Sequence, residues 1–105
     1  LFETANPRHG HEWRVFAECR GEIPEDMRLA PGVIDSTTNF VEHPDLVAER
    51  LSRFIGIVGP ERVLASTDCG FGTFAGFGAV DPAVAWRKLA SLAEGAARCE
   101  TMTAL

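Results

Sequence analysis

The stretch Ser66-Thr67-Asp68-Cys69-Gly70-Phe71-Gly72 sets a thiol beside a carboxylate and two glycines, directly after the run Val63-Leu64-Ala65. A cysteine at a strand's end, next to glycines that permit close approach, is poorly explained as core packing. Such a thiol acts as a nucleophile or as a zinc ligand. The first needs a base within reach; the second needs further nitrogen, sulfur or oxygen donors from neighbouring strands. Glu3 stands at the corresponding end of the first strand. His9-Gly10-His11 has the alternate spacing that turns two side chains the same way on a strand, yet it falls where a loop enters a helix. Solvated or substrate-facing histidines are an equal reading there. Asp35 follows Val33-Ile34 and either binds a polar ligand group or caps its own loop. Gly70-Phe71-Gly72-Thr73-Phe74-Ala75 matches a dinucleotide pattern, but that pattern needs a helix opening at once to face the pyrophosphate. The next helix signal waits until Pro82, so a flexible loop over a site is the better reading.

The elements that must position these residues follow from the apolar periodicity. Leu1 to Ala5 reads as a short strand, closed by Asn6-Pro7 because the residue before proline is pushed out of the helical region. From His11 to Cys19, Trp13, Phe16, Ala17 and Cys19 form a rough helical stripe that ends at Arg20-Gly21. Leu29 to Ile34 reads as a buried strand feeding the polar run Asp35-Ser36-Thr37-Thr38-Asn39. Pro44 opens a helix in which Val47, Leu51, Phe54, Ile55 and Val58 recur at three- and four-residue steps up to Gly59-Pro60. Arg62 to Thr67 is the strand that leads to Cys69. Asp81-Pro82 supplies an N-cap and first-turn pair for a last helix with Val84, Ala85, Leu89, Leu92, Ala93 and Ala96 as its stripe. That helix is expected to fray beyond Arg98. Cys19 and Cys99 fall on helix stripes and read as core residues.

Strand and helix thus alternate three times, and the strands do not alternate in polarity. That is what a parallel sheet covered by helices requires, so the fold class is α/β. In each unit the chemistry-bearing residues follow the strand's carboxyl end, where barrels and doubly wound sheets place their sites. Three units leave two open sheet edges, too few to close an eight-stranded barrel.

Composition narrows the function classes. The 105 residues fit one small domain, with an ordinary apolar content of 46%. A net charge of −5, spread without blocks, offers no footprint for nucleic acid or an anionic membrane. No apolar stretch approaches the roughly 20 residues that span a bilayer, and no signal-peptide pattern opens the chain. Three cysteines at unrelated spacings argue against a disulfide framework and suit a reducing, cytoplasmic compartment. The chain starts at Leu1 inside what reads as a strand and is expected to be a fragment.

Three stretches carry a resemblance: Leu1-Phe2-Glu3-Thr4-Ala5-Asn6-Pro7-Arg8-His9, Pro31-Gly32-Val33-Ile34-Asp35-Ser36-Thr37-Thr38-Asn39, and Ser66-Thr67-Asp68-Cys69-Gly70-Phe71-Gly72-Thr73. In order and over essentially the whole chain, they resemble the C-terminal part of the cobalamin-independent methionine synthase family. The nearer likeness is to its shorter branch of methionine synthase II-like proteins, related to the epoxyalkane:coenzyme M transferases. The resemblance implies that residues 1–105 are the last three strand-helix units of a (β/α)8 barrel, an incomplete domain of a zinc-dependent methyltransferase.

In that family a zinc ion is held by a His-x-Cys pair, a Glu from the next strand and a Cys in an Asp-Cys-Gly motif. Glu3 and Cys69 match the last two, and the His-x-Cys pair would precede Leu1 or come from another copy of the chain. The implied reaction is methyl transfer from a polyglutamylated methyltetrahydrofolate to homocysteine. Alkyl transfer to another thiol such as coenzyme M is the alternative. Thr37 stands where the synthases have a histidine thought to protonate the folate, and a hydroxyl cannot be a general acid near neutral pH. His9, His11 or a water is then the candidate proton donor. The expected site comprises Asp35, His9 and His11 as catalytic residues and Glu3 and Cys69 as metal ligands. Asp35, Ser36, Thr37 and Asp68 are the expected substrate-binding residues. Competing readings are a metal-dependent hydrolase using His9-x-His11 with Asp68, a dinucleotide-binding module, and a non-catalytic structural or assembly fragment.

Overall fold

In the computed structural model, residues 1–6, 8–68 and 80–103 are described, with side chains described as far as residue 99. Strand β1 (Phe2–Glu3), helix α1 (Trp13–Glu18), strand β2 (Pro31–Ile34), helix α2 (Pro44–Val58), strand β3 (Ser66–Thr67) and helix α3 (Pro82–Thr103) follow in that order. The strands form one parallel sheet in the order β1-β2-β3. The α/β alternation inferred from the sequence is therefore present, three units long.

The central strand explains its own position. All four residues of β2 are buried, and Val33 and Ile34 are fully inaccessible, as expected of a strand covered on both faces. Val33 and Ile34 pack with Val47, Ala48 and Leu51 of α2 and Cys99 of α3. Each large apolar side chain buried this way contributes about 1.5–3 kcal/mol. A second apolar group joins the first unit to this core. Phe2 stacks on Phe16 at 4.7 Å, and both rings meet Phe54 edge-on at 5.4 and 5.8 Å. Helix α1 is thereby fixed over β1 and α2 although it is only six residues long. Trp13 lies under the Arg14 and Arg53 guanidinium groups, at 5.6 and 5.4 Å.

Helix α2 has the bounds its periodicity implies. It opens with Pro44 after the His43 cap, whose Nδ1 accepts from the Asp45 N–H at 3.0 Å. Helix α3 opens as expected at Pro82, with the Asp81 carboxylate accepting from the Ala83 N–H at 2.9 Å. Three expectations for the helices need correction. Helix α3 runs on to Thr103 instead of fraying after Arg98; Cys99, whose thiol donates to the Ala48 carbonyl, lies within the buried core and anchors that end.

The buried face of α3 also lies to one side of the apolar stripe. Lys88, Ser91, Gly95 and Cys99 are its buried positions, whereas Ala93 is exposed. The cause is a close helix-helix approach. A Cβ at Gly95 would fall 2.5 Å from Val47 Cβ and 2.9 Å from the Pro44 carbonyl oxygen. Small residues therefore occupy the line of closest contact and larger apolar ones flank it. Cys19 is likewise not a core residue: it is exposed and caps the end of α1.

Candidate functional site

The parallel register brings the three strand ends together. Glu3 pairs with Gly32, Gly32 with Ser66 and Ile34 with Thr67, so Glu3, Asp35 and Asp68 leave the sheet at one edge. Gly32 makes this possible. A Cβ there would lie 2.7 Å from the Asp68 nitrogen and 2.8 Å from its Cα, and would also strike the carboxylate.

Asp68 is buried and bonds the end of β3 to the loop after β1. Its Oδ1 accepts from the Thr4 and Ala5 N–H groups, both at 3.1 Å, and its Oδ2 from Asn6 Nδ2 at 3.0 Å. Its own N–H donates to the Ile34 carbonyl at 2.8 Å. Burial pushes the Asp68 carboxyl above the ordinary aspartate value; the bonds from Ala5, Asn6 and Thr4 oppose this and the Glu3 charge adds to it. Three of roughly four acceptor positions on this carboxylate are thus taken up by the chain itself. Asp68 shapes the site by joining two strand ends.

Asn6 links the first and third strand ends. Its Nδ2 also donates to Glu3 Oε2 at 3.0 Å, while its Oδ1 accepts from the Arg8 and His9 N–H groups at 3.1 and 3.2 Å. One amide thus satisfies two neighbouring carboxylates and folds the loop that follows. His9 is drawn in by acids on both ring nitrogens, with Nδ1 at 2.8 Å from Glu12 Oε1 and Nε2 at 3.7 Å from Glu3 Oε2. His11 is exposed. The hydrolase arrangement of His9, His11 and Asp68 is therefore not assembled: among the described residues no three His, Cys, Asp or Glu side chains are grouped to hold a metal.

Asp35 caps its own loop. Its Oδ1 accepts from the Thr37 N–H at 2.9 Å and from the Thr37 hydroxyl at 2.8 Å, a tight turn closed by its own side chain. Ser36 is buried inside that turn, and Thr37 is exposed. Cys69 and the glycine-rich segment at 70–78 lie outside the described residues.

Two residues that sequence reasoning passed over hold this turn. Glu42 and Lys88 are 2% and 0% exposed and pair at 2.9 Å. Glu42 Oε2 accepts from the Asp35 N–H at 2.7 Å, and Lys88 Nζ donates to the Asp35 carbonyl at 2.9 Å. A signal for Lys88 existed: it falls four residues after Val84 and four before Leu92, a charge on a helix face that is otherwise apolar. Nothing in the spacing marks Glu42. Away from these polar loops, an apolar hollow of about 200 Å³ between α2, α3 and the approach to β3 is lined by Leu51, Ile55, Val63, Leu64, Ala96 and Cys99. Its one titratable lining group is the Cys99 thiol, which donates to the Ala48 carbonyl.

No protein-family model and no curated protein sequence matches the chain. Among solved structures it is similar to a B12-independent methionine synthase from Shewanella sp. W3-18-1 in complex with selenomethionine, with a TM-score of 0.75 and 23% identity. The likeness covers 99% of this chain and 27% of that one, so the chain spans about a quarter of that enzyme's length. At this identity the likeness establishes the fold: three parallel strand-helix units corresponding to a fragment of the enzyme's (β/α)8 barrel. Among the described residues no helix is long and apolar enough to cross a membrane.

Proposed function

We propose that the chain is part of a zinc-dependent thiol methyltransferase, with methyl transfer to homocysteine as the nearest named activity. The observation that supports this reading is the convergence of Glu3, Asp35 and Asp68 at one end of a sheet whose fold matches part of a methionine synthase. Glu3 and Cys69 would hold the metal, with two further ligands from outside residues 1–105. The donor chemistry fits, because zinc accepts carboxylate oxygen and thiolate sulfur together. The hydrogen bond from Asn6 to Glu3 Oε2 is the support that ligating carboxylates ordinarily have. When bound, zinc supplies a lowered thiol pKa and hence a thiolate at neutral pH.

The remaining roles belong to the chain's own side chains. Asn6 orients Glu3, and the turn Asp35-Ser36-Thr37 lines the approach from β2. The Thr37 hydroxyl is engaged with Asp35 and is too weak an acid to protonate a leaving group near pH 7. His9, the imidazole held beside Glu3, takes that role in this reading. The thiol acceptor is homocysteine or another small thiol such as coenzyme M, and the cytoplasm is the compartment.

The test is metal content. The full-length protein should retain about one zinc per chain, as a four-ligand site does, and Cys69→Ser and Glu3→Gln should each lose most of it. Unchanged zinc by atomic emission in a folded Cys69→Ser protein would overturn the assignment.

A further inference from the structure

We propose that Glu42 and Lys88, assisted by Arg50, are positioning residues that hold the Asp35-Ser36-Thr37 turn in its substrate-binding shape by gripping the backbone of β2 where it leaves the sheet. This rests on the reading that the turn lines the substrate site.

The geometry takes the backbone group by group. The Val33 carbonyl accepts from Arg50 Nη1 at 2.9 Å, and the Ile34 carbonyl accepts from the Asp68 N–H at 2.8 Å. The Asp35 N–H donates to Glu42 Oε2 at 2.7 Å, and the Asp35 carbonyl accepts from Lys88 Nζ at 2.9 Å. Lys88 also lies 3.4 Å from the Thr38 hydroxyl, and Arg50 lies 4.0 Å from Glu42 Oε2. Among the described residues no strand pairs with Asp35, and a buried backbone polar group must find a partner. Here the partners at Asp35 are the two members of one buried ion pair, brought from the segment before α2 and from the middle of α3.

Stability alone does not account for the pair. Taking two charges out of water is expensive, and apolar residues of similar volume often replace a buried pair without loss. Lys88 meets the β2 loop and Glu42 from a helix whose other buried positions, among the described residues, are Ser91, Gly95 and Cys99, where an apolar side chain would be the simpler filling. What an apolar pair could not do is fix both the N–H and the C=O of Asp35. With these fixed, the carboxylate stays where Thr37 N–H and Oγ1 meet it, and the turn is formed before any ligand arrives.

Glu42→Gln combined with Lys88→Met in the full-length protein removes both charges, keeps an acceptor for the Asp35 N–H and keeps side-chain volume. Amide hydrogen exchange in residues 35–42 should then quicken by roughly tenfold or more, the size of one charged hydrogen bond, while exchange in residues 44–58 holds. The KM for the thiol or the methyl donor should rise by about tenfold with kcat and zinc content little changed. If the double variant does not fold, Glu42→Gln alone, nearly isosteric, should show the same two changes at a few-fold level.

A folded variant with unchanged exchange in residues 35–42 overturns the grip. Faster exchange with unchanged KM overturns the link between the turn and substrate. Absence of methyl transfer to any thiol by the unmodified protein refutes the proposed function instead; the exchange measurement then decides the grip by itself.

Discussion

Gly32→Ala tests the closest approach of β2 and β3 with a single methyl group. The new Cβ would stand 2.7 Å from the Asp68 nitrogen and 2.8 Å from its Cα, both backbone atoms of the adjoining strand end. Neither can swing aside as a flexible side chain would. Overpacking of this kind costs about 1–3 kcal/mol. The displacement also strains the bonds from Thr4, Ala5 and Asn6 to the Asp68 carboxylate, each worth about 1 kcal/mol net. The expected loss is therefore about 3–5 kcal/mol, a large share of the roughly 5–15 kcal/mol that holds a domain together. Gly56→Ala is the matched control: nothing lies within 4 Å of a Cβ there, so it should gain about 0.5–1 kcal/mol by favouring helix. Urea unfolding followed by far-ultraviolet circular dichroism measures both. In an Asp68→Ala background the carboxylate bonds are absent, so the cost of Gly32→Ala should fall to the about 1–3 kcal/mol of the backbone collision. A Gly32→Ala protein within about 1 kcal/mol of the parent, below the range expected for overpacking, would refute the close approach of β2 and β3.

Other outcomes follow from the same packing. Gly95→Ala should lower stability by about 1–3 kcal/mol in a thermal melt, because its Cβ would meet Val47 and the Pro44 carbonyl across the α2–α3 contact; a neutral result would mean the helices are further apart. In the native chain, iodoacetamide should label Cys19, which is exposed, well before Cys99, which is buried; peptide mapping distinguishes them. Burial raises the Cys99 thiol pKa above its ordinary 9.0. The folded chain therefore holds this proton more tightly, and the contribution is complete below the unfolded pKa and lost as pH rises through the folded one. The fall in stability above pH 9.0 should accordingly be shallower in Cys99→Ala than in the parent when melts are compared across that range.

Much of the architecture was legible because local rules act along the chain. The three- and four-residue steps of Val47, Leu51, Phe54 and Val58, with Pro44 before and Gly59-Pro60 after, define α2 to the residue. The unalternating strand Pro31–Ile34 and the polar runs after each strand placed Glu3, Asp35 and Asp68 at carboxyl ends, where the register puts them. Asp81-Pro82 marked the start of α3 for the same reason: capping and proline geometry depend on neighbours in sequence.

The rest was decided by partners distant in sequence. Asp68 is engaged by residues more than sixty positions earlier, and Lys88 by residues about fifty positions earlier. Hydrophobicity could not reveal that α3 presents Lys88, Ser91, Gly95 and Cys99 to the interior, because helix separation selects small residues there and a buried charge needs partners that only the folded chain supplies. Cys19 illustrates the converse: a stripe position on a six-residue helix became an exposed cap, while Phe16 on Phe2 and Phe54 and Trp13 under Arg53 dock α1. Sequence by itself therefore determined which residues stand at the strand ends, since that depends on local periodicity. Tertiary structure decided how those residues are bonded to the rest of the chain, since burial and hydrogen bonding across strands exist only once the sheet is assembled.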